Sequence, residues 1–284
     1  MRGLVLGSIN LNWTQVTQLT FDLLSVVQVF HIFQSSPNLR TCHFELVQSQ
    51  ASNYLKHTTH PNIESLDITF SNRQSDRLFF NTVTLPGLKS LRVRGQYIYL
   101  DPDHLIPFLT RSSSRLRFLS IDDTGYASED LIHVGRSTPL LEELVITHNV
   151  ALQGYLDKFY DALRDLPPGH GTLIPASTDP LLPLLRTFHW RGHGSFPWRV
   201  IPPLLAPFSK IDTGRRRPME RINVCCDRYS GTKIPIPYID DSVLSQLRSF
   251  QDTVKFSFTI QLDTGWKDLL ELSLNKISEE NSGV

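Results

Sequence analysis

His189 and His193 stand four residues apart, a spacing that on a helix would place two imidazoles on one face as metal ligands. Trp190 and Gly192 lie between them and argue for a strand, where that spacing has no ligand geometry, and no third ligand lies nearby in sequence. Cys225 and Cys226 invite a redox reading, yet neighbouring residues on a strand face opposite sides, so small buried thiols are expected instead. The same rule separates the carboxylates of Asp122-Asp123 and Glu142-Glu143. Gly169-His170-Gly171 lacks the strand, helix and further glycines of a phosphate cradle. No Gly-x-Ser-x-Gly elbow marks a nucleophile. Arg215 to Arg217, beside Pro218, reads as a solvated basic run. The chain is therefore expected not to be an enzyme, with no catalytic, cofactor or metal site.

The elements that would position these residues announce themselves through a repeat. An apolar residue is followed three and five positions later by two more in Val16/Leu19/Phe21, Leu39/Cys42/Phe44, Ile63/Leu66/Ile68, Leu88/Leu91/Val93, Leu116/Leu119/Ile121, Leu141/Leu144/Ile146, Leu185/Phe188/Trp190 and Met219/Ile222/Val224. This is the L-x-x-L-x-L core of a leucine-rich repeat, whose period is about 20 to 29 residues. Between triplets the apolar spacing becomes helical. Ser25, Asp101-Pro102, Ser128 with Glu129 and Asp130, and Asp241-Ser242 read as helix starts, and helices are expected near 152–163 and 198–209. The expected fold is α/β, an irregular leucine-rich-repeat horseshoe with parallel strands on the concave face and helices on the convex one. It would form one domain over 1–284, with loop insertions at 165–180 and 212–218 and a C-terminal cap at 253–275.

Composition bounds the partners. Lys plus Arg and Asp plus Glu both total 28, so no net field draws the chain to nucleic acid or anionic lipid. Three cysteines, two of them adjacent, suit a reducing compartment. The opening residues lack the apolar run of a secretory signal, and no stretch approaches the roughly 18 apolar residues of a membrane span. An intracellular protein, cytoplasmic or nuclear, is expected, with neither membrane nor nucleic acid as partner.

Ser36-Pro-Asn-Leu-Arg-Thr-Cys42, Thr84-Leu-Pro-Gly-Leu-Lys-Ser-Leu-Arg-Val93, Ser137-Thr-Pro-Leu-Leu-Glu-Glu-Leu-Val-Ile146 and Gly265-Trp-Lys-Asp-Leu-Leu-Glu-Leu272 add a family likeness. Over roughly 13–275 they resemble the leucine-rich-repeat region of the F-box proteins of mushroom-forming fungi. The resemblance implies substrate recognition within a Skp-cullin-F-box ubiquitin ligase, where the repeats hold a protein target. Nothing before Trp13 matches the F-box itself, so a Skp adaptor is implied only if an F-box lies upstream. A stand-alone repeat scaffold, or a truncated product with no role in ubiquitination, is the alternative.

In an L-x-x-L-x-L strand the residues between and beside the apolar positions point to the concave face. That offset assembles a polar, mixed-charge ladder containing Arg92, Arg94, Phe118, Asp122, Glu143, Val145, His189 and Arg191. Aromatic and Arg side chains dominate protein-binding hot spots, so these eight are the candidate contact residues for an unknown protein target.

Overall fold

The computed structural model describes residues 12–49, 56–96, 98–112, 115–122, 126–148, 156–163, 180–193, 196–206, 217–227, 236–262 and 264–282. The chain divides into two compact units, Met1–Tyr126 with His133–Leu141, and Ala127–Ile132 with Glu142–Val284. Each is a mostly parallel α/β arrangement.

The first unit alternates strand and helix in the order β1 (Gln18–Phe21), α1 (Val26–Ser35), β2 (Thr41–Val47), β3 (Thr58–Thr59), β4 (Ser65–Phe70), α2 (Arg73–Thr82), β5 (Val83–Thr84), β6 (Ser90–Gly95), α3 (Pro102–Ser112) and β7 (Phe118–Asp122). The helix α4 (Ser128–Ser137) follows. Its main sheet runs β1-β2-β4-β6-β7, all parallel, because each crossover carries the chain back to the same end of the next strand. The two-residue strands β3 and β5 pair with each other.

The register aligns the sequence triplets into rows. Leu19, Cys42, Leu66, Leu91 and Leu119 are successive partners, and so are Phe21, Phe44, Ile68, Val93 and Ile121. In the seven triplets after the first, all 21 side chains are at most 7% exposed. Each contributes about 1.5 to 3 kcal/mol on burial, whereas ordering a 25-residue repeat costs on the order of 25 to 50 kcal/mol, so a repeat stands only against its neighbours. Behind the rows lies a seam of aromatic rings, Phe33, Phe44, Phe70, Phe79, Phe80 and Phe108, with centroids 5.1 to 6.3 Å apart.

Local chemistry fixes the ends of the elements. Ser25 and Gln28 form a reciprocal capping box on α1, Asn72 caps α2, and Asp101 Oδ1 accepts the Asp103 amide at 3.0 Å at the start of α3. Ser128 proves to be the first helical residue of α4 rather than its cap, and Asp130 instead accepts the Ala127 amide at 2.9 Å. Turns with Pro at their second position deliver the chain into strands: Ser36-Pro-Asn-Leu39, Leu85-Pro-Gly-Leu88, Thr138-Pro-Leu-Leu141 and Leu182-Pro-Leu-Leu185 each close with an amide-to-carbonyl bond of 3.1 to 3.2 Å. Proline presets the dihedral such a turn needs.

The second unit contains β8 (Glu143–His148), α5 (Asp157–Leu163), β9 (Thr187–His193), a 3-10 turn at Trp198–Val200 running into α6 (Ile201–Leu205), β10 (Arg221–Asp227), α7 (Asp241–Arg248), β11 (Lys255–Leu262), β12 (Gly265–Asp268) and α8 (Leu269–Ser282). Strands β8-β9-β10-β11 are parallel and β12 turns back antiparallel on β11. The segment expected as a cap thus begins as a further strand in register, Phe256 beside Ile222 and Phe258 beside Val224, before the hairpin and α8 close it. Of the expected insertions, 165–179 and 212–216 lie outside the described residues. Arg217 corrects the reading of a solvated basic run: it is 3% exposed and donates to the carbonyls of Leu181 at 2.6 Å and Leu182 at 3.3 Å.

Candidate functional site

In the first unit the side chains alternating with the buried rows form three polar rows. Register sets Thr41, Ser65, Ser90 and Phe118 in one, His43, Asp67, Arg92 and Ser120 in the next, and Thr69, Arg94 and Asp122 in the third. Neighbouring strands bring cross-strand partners within reach, so residues some 25 positions apart in sequence meet.

Asp67 is the hub. Its Oδ1 accepts from an Arg94 guanidinium nitrogen at 2.5 Å, and its Oδ2 lies 3.1 Å from His43 Nδ1 and 3.8 Å from Arg92. His43 Nε2 reaches Glu45 at 3.3 Å, while Arg94 Nε stands 4.0 Å from Asp122, whose other oxygen accepts from Ser120 Oγ at 3.3 Å. The Arg92 guanidinium sits 5.6 Å from the Phe118 ring centroid, within cation-π range. Between them Ser65, Leu66, Asp67, Ser90, Arg92 and Phe118 line a shallow recess of about 200 Å³. Single exposed ion pairs contribute about 0 to 1 kcal/mol, so the network does little for stability; what it does is gather two guanidiniums beside an aromatic ring on one face. At the entry to the same strands Lys89 bonds Glu64 at 2.8 Å and holds that carboxyl below its usual range.

The structure therefore brings Arg92, Arg94, Phe118 and Asp122 together in the first unit. Glu143, Val145, His189 and Arg191 belong to the second. There Glu143 aligns with Thr187, Arg221 and Lys255, and Val145 with His189, Asn223 and Ser257. Arg191 donates to Asp227 at 2.8 Å and its guanidinium lies 5.8 Å from the Trp266 ring centroid. Cys225 lies in register between Arg191 and Thr259, and its sulfur accepts from the Thr259 hydroxyl at 3.5 Å. Burial raises its thiol pKa and pushes those of Cys42 and Cys226 to about 12. Cys225 faces the polar side and Cys226 the core, as strand alternation dictates.

His189 and His193 both lie on β9, where four residues of strand span about 13 Å. Among the described residues no cluster of three His, Cys, Asp or Glu is placed to hold a metal ion, and no helix is long and apolar enough to cross a membrane. The residues that sequence reasoning left out of the candidate set are Asp67, His43, Asp227 and Trp266. Cross-strand register was the signal for the first three, since each sits one strand from a chosen arginine or its partner. Compared with known proteins, the chain matches no family model and no curated sequence.

Proposed function

We propose that this chain is a leucine-rich-repeat solenoid whose polar strand face recognises a protein partner, as the substrate-recognition region of an F-box-type protein does within a Skp-cullin-F-box ubiquitin ligase. The observation that carries the recognition half is the Asp67 hub: it orients Arg92 and Arg94 beside Phe118 at the rim of a recess, the aromatic-plus-arginine combination that dominates protein hot spots. Because the Arg94 guanidinium is already hydrogen-bonded to Asp67, less of its rotamer entropy is lost when a partner docks there. The chain performs no chemistry in this reading; it presents a surface. The ubiquitination half rests on the repeat sequences that resemble fungal F-box proteins.

Affinity capture from cells expressing the full-length gene product, followed by mass spectrometry, tests both halves. Recovery of a target together with a Skp adaptor and a cullin supports the whole reading. A target recovered without them assigns the chain to the stand-alone scaffolds. The doubly substituted Arg92→Glu, Phe118→Ala chain should lose at least about tenfold in capture of that target, the loss of one hot spot worth about 1.4 kcal/mol or more, with an unchanged circular dichroism spectrum. Undiminished capture removes the site.

A further inference from the structure

Within the Asp67 network His43, Arg94, Ser120 and Asp122 each meet a partner. The recess beside it is different. The hydroxyls of Ser65 and Ser90 and the guanidinium of Arg92 all line it, and among the described residues none of the three is hydrogen-bonded to an acceptor. Arg92 is half-exposed; its 3.8 Å approach to Asp67 is beyond hydrogen-bond length, and its other contact is the Phe118 ring. Three side chains able to donate thus converge on one concavity, and what satisfies them together is an acceptor-rich anion.

Charge is distributed to match. Arg40, Glu64 and Lys89 immediately precede β2, β4 and β6, and they stack in a row because the Glu64 amide donates to Arg40 O and the Lys89 amide to Glu64 O, both at 2.8 Å. Lys89 hydrogen-bonds the Glu64 carboxylate, and Arg40 and Arg115 add to the field that holds this carboxyl below its usual range. Three cations therefore act on one carboxylate at the strand entries, and Arg92 adds another positive charge further along β6. Toward the strand exits the balance reverses, with Asp22, Glu45 and Asp122 against Arg94. Asp67 also lines the recess, but its oxygens are engaged by Arg94 and His43. Its charge repels a dianion about twice as strongly as a monoanion, so a carboxylate suits the recess better than a phosphate.

The recess, about 200 Å³, is smaller than the roughly 300 to 1,000 Å³ of a small-molecule pocket and fits one side chain of a larger partner. The Phe118 ring walls it for the methylenes of a glutamate. The first unit's stretches outside the described residues, 1–11, 50–55, 97, 113–114 and 123–125, contain no glutamate and one aspartate, Asp123, so they offer no acidic run. We propose, resting on the reading of this face as a protein-binding one, that the partner segment it takes is acidic. A glutamate side chain enters the recess, its carboxylate accepting from Arg92, Ser65 and Ser90, and flanking acids lie along Arg40, Lys89 and Arg115.

The probe is an end-blocked hexaglutamate peptide titrated at constant ionic strength into the isotope-labelled full chain, with the amide resonances of Ser65, Ser90 and Arg92 as the readout. They should shift with a dissociation constant below about 1 mM, and hexaglutamine should bind at least about tenfold more weakly. Arg92→Gln should weaken hexaglutamate by about tenfold or more, Ser65→Ala with Ser90→Ala by a similar factor and Arg92→Lys by less, all at an unchanged circular dichroism spectrum, since hydrogen bonds to a charged group are the stronger class. Resonances that stay put at several millimolar peptide overturn the proposal, as do equal binding of hexaglutamine and hexaglutamate binding indifferent to Arg92 and the two serines. A tenfold gain when phosphoserine replaces one glutamate overturns the choice of carboxylate, and tighter binding of a six-nucleotide oligothymidine gives the surface to nucleic acid and overturns it too. A target whose cellular capture needs Arg92 and Phe118 but is not competed by hexaglutamate keeps the protein-binding reading and refutes its acidic partner. Capture indifferent to both residues removes that reading, whereas peptide binding lost in Arg92→Gln still supports a carboxylate site in the recess.

Discussion

Gly87→Ala separates a stacking constraint from ordinary glycine flexibility. Gly87 is the third residue of the turn Leu85-Pro-Gly-Leu88, and its backbone lies outside the left-handed region, so any residue could adopt its dihedrals. A Cβ there would nevertheless lie 2.2 Å from the carbonyl oxygen of Pro61 and 3.2 Å from that of Ile63 in the preceding repeat. Relieving the first contact requires the two turns to part by about 1 Å, since carbon and oxygen gain nothing from approaching closer than normal van der Waals separation. The bonds from Lys89 N and Ser90 N to Glu64 O, now 2.8 and 2.9 Å, sit two and three residues along the same connection and would stretch past bonding range. Their loss costs about 1 kcal/mol each, and loosening Ile63 against Leu88 costs about 1 to 2 kcal/mol more. Up to about 1 kcal/mol returns through the stiffer unfolded chain, leaving a net loss of about 2 to 4 kcal/mol. At a slope of about 2 to 3 kcal/mol/M the urea midpoint should drop by roughly 1 M. Without the clash the same substitution would stabilise the protein. A midpoint that is unchanged or raised would refute the close stacking of successive turns.

Burial raises the carboxyl of Asp76, which is fully inside at the first turn of α2, although the amides of Arg77 and Asp101 pull the other way. The unfolded carboxyl ionises first, at its ordinary 3.8, so the folded state should lose stability as pH climbs from there through the raised value and level off above it. The stability difference between the native chain and Asp76→Asn should change in that window, and a difference constant with pH would contradict the burial argument. The thiols of Cys42 and Cys226, each 1% exposed and pushed to about 12, should resist iodoacetamide at pH 8 in the folded protein, with half-buried Cys225 alkylated first. Alkylation of Cys42 ahead of Cys225 would contradict the packing. Arg217→Ala takes the guanidinium donors away from the carbonyls of Leu181 and Leu182, the second of which keeps the Leu185 amide, and should cost about 1 to 3 kcal/mol in a urea titration, with Arg217→Lys recovering part of it. A loss below about 0.5 kcal/mol would mean that the guanidinium is a spectator.

What the sequence revealed and what it hid follow from one distinction, between contacts a residue makes by periodicity and contacts it makes by register. Leu88, Leu91 and Val93 are readable because a strand entered from a turn needs apolar residues at those offsets whatever lies beside it. Stacking copies of the pattern then forces the rows Leu66-Leu91-Leu119 and Ile68-Val93-Ile121. The same offset puts Asp67 on the polar face but does not reveal its weight, which comes from Arg92 and Arg94 on one neighbouring strand and His43 on the other, none of which is local to it. Strand β11 escaped recognition as a repeat because Thr253 occupies the position that Met219 and Leu185 fill with an apolar side chain, so alternation survived where the triplet did not. Arg217 looked solvated because charge runs usually are; its burial depends on the carbonyls of a turn 35 residues earlier, where Leu182 adopts a φ of 51° that a leucine rarely accepts. A guanidinium that satisfies two carbonyls there can offset the 1 to 2 kcal/mol that such a dihedral costs, about the strength of the bonds it makes. The polar and strained positions are thus the ones whose meaning depends on a neighbour far along the chain, and the eight candidate residues divide between two clusters for the same reason: offset chose the face, and only register could single out the hub Asp67 and the Arg191 partner Asp227.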